Sequence, residues 1–159
     1  MWKIAALLAG LGFMSACGIN APSRAVTEFK GYEPQAMECL AEAIYFEAGN
    51  KGEAGRRAVA HTILNRKDDP RWPNTVCGVI SEGQPEGRCQ FSYRCGLDYT
   101  RYVYPDQLEM AQTTAKAVLT GEAEDPTEGA LFFHATFVNP SWFRTRERIG
   151  DFGGNIFYY

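Results

Sequence analysis

The sequence predicts an α+β domain that is mainly helical and carries a short antiparallel β element near its C-terminal end. Apolar residues recur at helical spacing in three segments, which predicts helices over residues 34–48, 53–67 and 105–120. Two later segments, 130–137 and 155–159, are apolar and aromatic enough to form strands. Because both strand segments follow the last helix, we expect the β element at the C-terminal end of a helical core.

Capping and turn residues mark the ends of these helices. Pro34 stands at the expected first position of the first helix, and Pro70 follows the end of the second. The third helix begins at Pro105 and should stop at Gly121. A short helix over residues 75–80 is predicted between the second and third, with Asn74 as its N-cap.

The N-terminal residues have the composition of an export signal. Lys3 is followed by the apolar run 4–14, which is too short for a membrane span and typical of a signal-peptide core. The run closes with Met-Ser-Ala-Cys-Gly, which resembles a bacterial lipobox with Cys17 as the lipidated residue. The alternative is an ordinary signal peptide that is cleaved near Ala16.

These features predict three parts of the chain: a signal peptide over 1–16, a tether over 17–32 and one domain over 33–159. The glycine that follows Cys17 favours attachment to the outer membrane of a Gram-negative cell, so a periplasmic, lipid-anchored protein is expected. The formal net charge of -3 provides no electrostatic footprint for nucleic acid.

Apart from Cys17, the chain contains four cysteines, which are Cys39, Cys77, Cys89 and Cys95. An even number in an exported chain suggests two disulfides, and the sequence leaves three pairings open. Cys89 with Cys95 is favoured because they flank one short loop, and that choice leaves Cys39 with Cys77. A zinc site is less well supported, since there is no Cys-x-x-Cys pair and only two histidines are present. We expect no metal and no cofactor.

Glu47 ends an apolar helical segment over residues 39–48. Unpaired carbonyl groups give the last turn of a helix a partial negative charge, which favours the protonated form of a nearby carboxyl group. A raised pKa is what a general acid needs near neutral pH. The alternative is that Glu47 is only a surface residue near a helix end.

Several motifs in order resemble one family, the bacterial cell wall hydrolases of the spore-cortex-lytic SleB/CwlJ type. They are Cys-Leu-Ala-Glu-Ala-Ile-Tyr-Phe-Glu-Ala over 39–48, Ile-Leu-Asn-Arg over 63–66, Trp-Pro-Asn-Thr-Val-Cys-Gly-Val-Ile over 72–80, Cys-Gln-Phe-Ser over 89–92, and Phe-His-Ala to Ile-Phe-Tyr over 133–158. The resemblance covers about residues 36–159.

The resemblance implies a lysozyme-like or lytic-transglycosylase-like domain that cuts peptidoglycan between N-acetylmuramic acid and N-acetylglucosamine. It also implies that Glu47 is the catalytic acid. A glycosidase usually needs two carboxylates, whereas a lytic transglycosylase needs one, because a hydroxyl of the sugar itself attacks and closes a 1,6-anhydro ring. Glu47 would then serve as acid and as base.

The chain departs from the family pattern at three places. Gly49, Asn50 and Lys51 replace a common Arg-Gly-Glu, Arg56 replaces a glutamine, and Asn155 replaces a histidine. We expect these changes to make the cleft more basic and to leave the reaction class unchanged. A homologue that binds peptidoglycan without cleaving it is the alternative.

Five further side chains are candidates for substrate binding. Gln90 and Ser92 could bind sugar amides and hydroxyls, Tyr93 and Trp142 could stack on sugar faces, and His134 could face the cleft. Gln90, Ser92 and His134 could equally be structural. Most aromatic residues belong to the core, and Tyr93 and Trp142 are the two aromatic residues that we favour for sugar stacking. A last alternative is a Cys-His peptidase that uses Cys89 or Cys95 with His134, although an even cysteine count in an oxidising compartment argues against a free thiol. The expected partners are glycan strands and, through Cys17, a membrane.

Overall fold

The computed structural model describes residues 35–96 and 103–159. The predicted signal peptide, the lipidation site Cys17, the tether and Pro34 lie outside the described residues. Among the helices of the described part, none has the length and the apolar character needed to cross a membrane.

The described domain contains five α-helices. They are α1 (Ala36–Ala48), α2 (Gly52–Asp68), α3 (Val76–Ile80), α4 (Tyr93–Gly96) and α5 (Pro105–Leu119). The bounds of α2 and α5 agree with the sequence prediction to within one residue at each end. The single-turn helix α4, which includes Cys95, was not predicted from the sequence.

The N-cap of α3 is Thr75 and not the predicted Asn74. The Thr75 side chain accepts a hydrogen bond from the Gly78 backbone N–H at 3.1 Å, and its backbone is extended, with φ -131° and ψ 149°. An N-cap residue needs this non-helical conformation so that its oxygen can reach the first free N–H groups of the helix.

The β element is a sheet of three antiparallel strands, β1 (Phe132–Ala135), β2 (Arg148–Phe152) and β3 (Asn155–Tyr158), in the order β1-β3-β2. In its register, Ile156 of β3 lies between His134 and Asp151. A short 3-10 helix, Ser141–Thr145, precedes β2. The sequence analysis did not predict β2.

The helical core forms where α1, α2 and α5 pack against one another. Leu40, Ile44 and Ala48 of α1 are buried in it, as the apolar spacing of that segment predicts. Two disulfides reinforce the domain. One joins Cys39 of α1 to Cys77 of α3, the other joins Cys89 to Cys95, and this is the pairing that the sequence favours.

The sheet meets the helical core at two glycines. A Cβ atom on Gly55 of α2 would lie 3.1 Å from the Cα atom of Gly153, in the turn between β2 and β3. Gly153 also has a φ of +63°, which residues with side chains rarely adopt. The absence of side chains at both positions therefore allows the backbone of α2 to approach the sheet closely.

Candidate active site

A cavity of about 320 Å³ lies where the end of α1 meets α2, the loop closed by Cys89–Cys95, and the strands β1 and β3. We call it the Glu47 cavity. Its lining residues are Glu47, Lys51, Arg66, Gln90, Phe91, Ser92, Phe133, His134, Ala135, Phe137 and Asn155. Glu47 is the only carboxylate among these described lining residues.

Glu47 lies in the last turn of α1 and is partly buried. Burial raises the pKa of its carboxyl group from an ordinary 4.5 to about 7, and the positive charge of Arg66 opposes the rise. The sequence analysis predicted this direction from the position of Glu47 at a helix end. The largest cause in the structure is burial, which removes the carboxylate from water.

Arg66 of α2 is the buried cation beside Glu47, and only 3 % of it is exposed. Its Nε atom donates a hydrogen bond to the Leu131 carbonyl oxygen at 2.7 Å, which fixes the guanidinium group. Burial lowers the pKa of Arg66 to about 10, while Glu82 and Glu47 oppose that shift. Three aromatic rings lie within about 6 Å of the guanidinium carbon, those of Trp72, Phe91 and Phe132. The sequence analysis did not assign Arg66 to the site.

His134 of β1 lines the cavity, as the sequence analysis anticipated. Its Nδ1 atom lies 2.9 Å from the Ala135 carbonyl oxygen, and its Nε2 atom lies 2.9 Å from the hydroxyl of Tyr158. A carbonyl oxygen can only accept, so Nδ1 carries the proton, and in the neutral ring Nε2 accepts from the tyrosine hydroxyl. Both ring nitrogens are therefore engaged, which holds the ring in one orientation.

The other predicted binding residues fall into two groups. Gln90 and Ser92 are exposed on the disulfide-closed loop and line the Glu47 cavity. Trp142 does not line it, but 37 % of Trp142 is exposed and its ring centroid lies 5.6 Å from that of His134. The structure therefore brings Gln90, Ser92 and His134 to the cavity, with Trp142 beside it.

Tyr93 is a correction to the sequence analysis. Only 2 % of Tyr93 is exposed, and its ring stacks on that of Phe46 at a centroid distance of 4.6 Å. Burial also raises the pKa of its hydroxyl group. A ring that stacks on a sugar must have one face open to the ligand, and the ring of Tyr93 is buried. Tyr93 is therefore a core residue. Phe137 lines the cavity and is 86 % exposed, so it is a candidate for contact with a ligand that the sequence analysis missed.

Of the residues that depart from the family pattern, some line the Glu47 cavity and one lies elsewhere. Lys51 and Asn155 line the Glu47 cavity. Arg56 does not, because it is buried on another face of α2, where its Nε atom donates to the Thr114 hydroxyl at 3.3 Å. The added positive charge in the cleft therefore comes from Lys51, and the expectation for Arg56 was wrong.

The Cys-His peptidase alternative has no thiol in the described domain. Cys89 and Cys95 are bonded to each other, and Cys39 and Cys77 form the second disulfide. The nucleophile of a cysteine peptidase must be a free thiolate. Within residues 35–96 and 103–159 this alternative therefore lacks its central group.

The fold and the cavity together define a small helical domain that places one carboxyl group of raised pKa in a cleft. A family model described as Cell Wall Hydrolase matches residues 50–158, a region that begins just after Glu47. Spore cortex-lytic enzymes of Halalkalibacterium halodurans and Bacillus cereus are each 32 % identical to the chain, over 129 and 142 residues. These matches cover 80 % and 88 % of this chain but only 36 % and 48 % of those relatives. The chain thus spans less than half the length of these curated relatives.

Two solved structures have the same fold. The catalytic domain of the germination-specific lytic transglycosylase SleB from Bacillus anthracis is 30 % identical with a TM-score of 0.66, over 82 % of this chain and 98 % of that domain. The catalytic domain of the Bacillus cereus SleB protein is 26 % identical with a TM-score of 0.57, over 82 % of this chain and 94 % of that domain. The chain belongs to the cell wall hydrolase family. The family and the α+β fold that the sequence predicted are confirmed.

Proposed function

We propose that the domain cleaves the glycan strands of peptidoglycan between N-acetylmuramic acid and N-acetylglucosamine as a lytic transglycosylase, with Glu47 as its single general acid and base. The observation that carries the proposal is the pKa of about 7 for Glu47 inside the cavity. A group with this pKa can be protonated in one step and ionised in the next at neutral pH.

The proposed reaction has two proton transfers. Protonated Glu47 donates its proton to the glycosidic oxygen while the bond to the muramic acid carbon breaks. The resulting carboxylate then takes the proton of the C6 hydroxyl of the same sugar, whose oxygen attacks that carbon and closes the 1,6-anhydro ring. No water is consumed, and Glu47 is protonated again at the end.

The composition of the cavity supports this single-carboxylate reaction. A hydrolase that activates water or forms a covalent intermediate uses a second carboxylate about 5–10 Å from the first. The described residues that line the cavity include none besides Glu47. The neighbouring Arg66 would stabilise the ionised form of Glu47 that exists between the two steps.

We further propose substrate contacts for the remaining predicted residues. Gln90 and Ser92 would hydrogen-bond sugar amides and hydroxyls, because their polar side chains are exposed at the cavity. His134 would shape the opposite wall, and Trp142 would offer an exposed ring to a sugar face. The Cys89–Cys95 bond would hold the loop that carries Gln90 and Ser92.

The location of the protein is proposed from its sequence. Two disulfides fit a compartment outside the cytoplasm, where peptidoglycan lies. The lipid anchor at Cys17 and the Gram-negative outer membrane rest on the lipobox-like sequence alone. The relatives described above come from spore-forming Gram-positive bacteria and provide no support for that anchor.

Digestion of purified sacculi tests the proposal. Wild-type protein should release muropeptides with 1,6-anhydro ends, identified by mass analysis, and Glu47→Gln should release about 10²–10⁴ times less. Products with reducing ends would overturn the transglycosylase step, and full activity of Glu47→Gln would overturn the role of Glu47. Binding of wild-type protein to sacculi without any product would instead support the non-catalytic alternative.

A further inference from the structure

Lys51 is a cation of the Glu47 cavity that has no partner in the described domain. It lies between α1 and α2, is partly buried and lines the cavity. Within residues 35–96 and 103–159, its ammonium group forms neither an ion pair nor a hydrogen bond. A lysine that only needed solvation would more commonly extend from the surface into water.

Three glycines, Gly55, Gly153 and Gly154, lie close to the Lys51 side chain. A Cβ atom added to Gly55 would lie 2.8 Å from the Lys51 Cβ atom, and one added to Gly153 would lie 2.9 Å from it. The Nζ atom lies 3.7 Å from the place where a Cβ atom of Gly154 would be. The side chain therefore follows the turn between β2 and β3, with its first carbon held between two glycines.

A second unpaired donor lies next to this turn. Asn155, which follows Gly154 in the chain, also lines the cavity and is only 3 % exposed. Its Nδ2 atom is buried and has no hydrogen-bond partner among the described residues. The Lys51 ammonium group and the Asn155 Nδ2 atom are thus two donors on this side of the cavity that have no acceptor among the described residues. This arrangement favours a ligand that carries acceptor oxygens.

The positive charge of Lys51 is available to a ligand, whereas that of Arg66 is already engaged. Arg66 donates to the Leu131 carbonyl oxygen and interacts electrostatically with Glu82 and Glu47. Glu47 itself is ionised only part of the time at neutral pH, because its pKa is about 7. The cavity therefore has more positive than negative charge before a substrate enters.

We propose that Lys51 is a specificity-determining residue that binds a carboxylate group of the substrate through its ammonium group. This inference rests on the proposed function, because it concerns a glycan strand in the same cavity. Peptidoglycan offers carboxylates from two sources. One is the lactyl group of a muramic acid that carries no peptide, and the other is the stem peptide.

Binding measurements in a Glu47→Gln background test this inference without any turnover. The probes are glycan fragments without peptide, fragments with stem peptides, and both kinds after their carboxyl groups have been converted to amides. Lys51→Met and Lys51→Gln should bind the recognised fragment about 10-fold more weakly, while Lys51→Arg should retain most of the affinity. The fragment that shows the loss identifies the source of the carboxylate.

The control variant is Lys116→Met, which removes an exposed lysine of α5 outside the cavity. It should leave binding unchanged, and thermal unfolding of all variants should show that they fold. Equal affinities of Lys51→Met, Lys51→Gln and the parent protein for both unmodified fragments would overturn the inference, as would an equal loss on the amidated fragments. A charge effect at Lys51 in a protein that cleaves no sacculi would instead refute the proposed function alone.

Discussion

Two cavities of equal size, about 320 Å³ each, border α2, and they differ in how far their carboxyl groups are exposed to water. The α2–α5 cavity is lined by Glu53 and Glu109, whose side chains are exposed. The Glu47 cavity contains one carboxyl group, which is partly buried and has a pKa of about 7. The two cavities therefore differ not in size but in whether a carboxyl group is removed from water.

The two buried arginines of α2 also differ between the two cavities, because only Arg66 acts on a partly buried carboxyl group. Arg56 in the α2–α5 cavity donates to the hydroxyl of Thr114, which is a structural contact between two helices. Arg66 donates to the Leu131 carbonyl oxygen and acts electrostatically on Glu47. One helix thus contributes a cation to packing on one side and to the electrostatics of the site on the other.

The largest expected effect that separates the two cavities is the pH dependence of stability. The pKa of Glu47 is higher in the folded protein, so the folded state binds a proton that the unfolded state has released between pH 4.5 and about 7. The wild type therefore loses stability relative to Glu47→Gln as the pH rises through this window. The loss should reach about 3 kcal/mol above pH 7 and should disappear below pH 4.5.

Denaturant unfolding of wild type, Glu47→Gln and Glu53→Gln from pH 4 to pH 8 measures this difference. Glu53→Gln is the matched control, because it removes an exposed carboxylate of the α2–α5 cavity. A stability difference between wild type and Glu47→Gln that stays constant across this range would contradict the prediction.

The next effect concerns the arginines. Arg66→Met should cost about 2 kcal/mol of stability, because it leaves the partly buried Leu131 carbonyl oxygen without its donor. It should also move the pKa of Glu47 above 7, since Arg66 is the cation that lowers it. Arg56→Met should cost about 1 kcal/mol and should leave the pKa of Glu47 where it is.

Carbon-13 NMR titration of the Glu47 carboxyl carbon measures this pKa in each variant without reference to activity. A higher Glu47 pKa in both variants would mean that both arginines lower this pKa in the wild type. No rise in Arg66→Met would mean that Arg66 has only the structural role of Arg56.

The smallest effect concerns exposed apolar side chains at the two cavities. Phe137 at the Glu47 cavity and Met110 at the α2–α5 cavity are both exposed, so truncation of either to alanine should change stability by less than about 0.5 kcal/mol. Phe137→Ala should raise the KM for glycan strands about threefold through lost ring contacts, while Met110→Ala should not. Steady-state kinetics on soluble glycan fragments would show equal KM values if Phe137 made no contact with the substrate.

The parts of the fold with strong local signals could be predicted from the sequence. Apolar periodicity gave α2 and α5, and the short spacing of Cys89 and Cys95 favoured their pairing. The strand β2 was missed because Arg148, Gly150 and Asp151 interrupt an apolar alternation, and its pairing contains an irregularity between Arg148 and Gly150. That strand is held by its neighbour β3 and not by a local preference.

The site was predictable only in part, for a related reason. The position of Glu47 at the end of an apolar helix drew attention to it, but the burial that raises its pKa depends on groups far away in the chain. Arg66 enters the cavity through packing between elements, which no local pattern records. Lys51 was expected at the cleft only through the family resemblance. Conversely, Tyr93 stands in a segment rich in polar residues and is nevertheless a core residue.

The central position of β3 in the sheet has a consequence for the order in which the Glu47 cavity can form. β1 and β2 pair only with β3, which follows both of them in the chain. Asn155 of β3 and His134 of β1 complete a cavity that also contains Glu47 of α1, which lies far earlier in the sequence. The surroundings that raise the pKa of Glu47 are therefore complete only after β3 has been synthesised and has paired with β1.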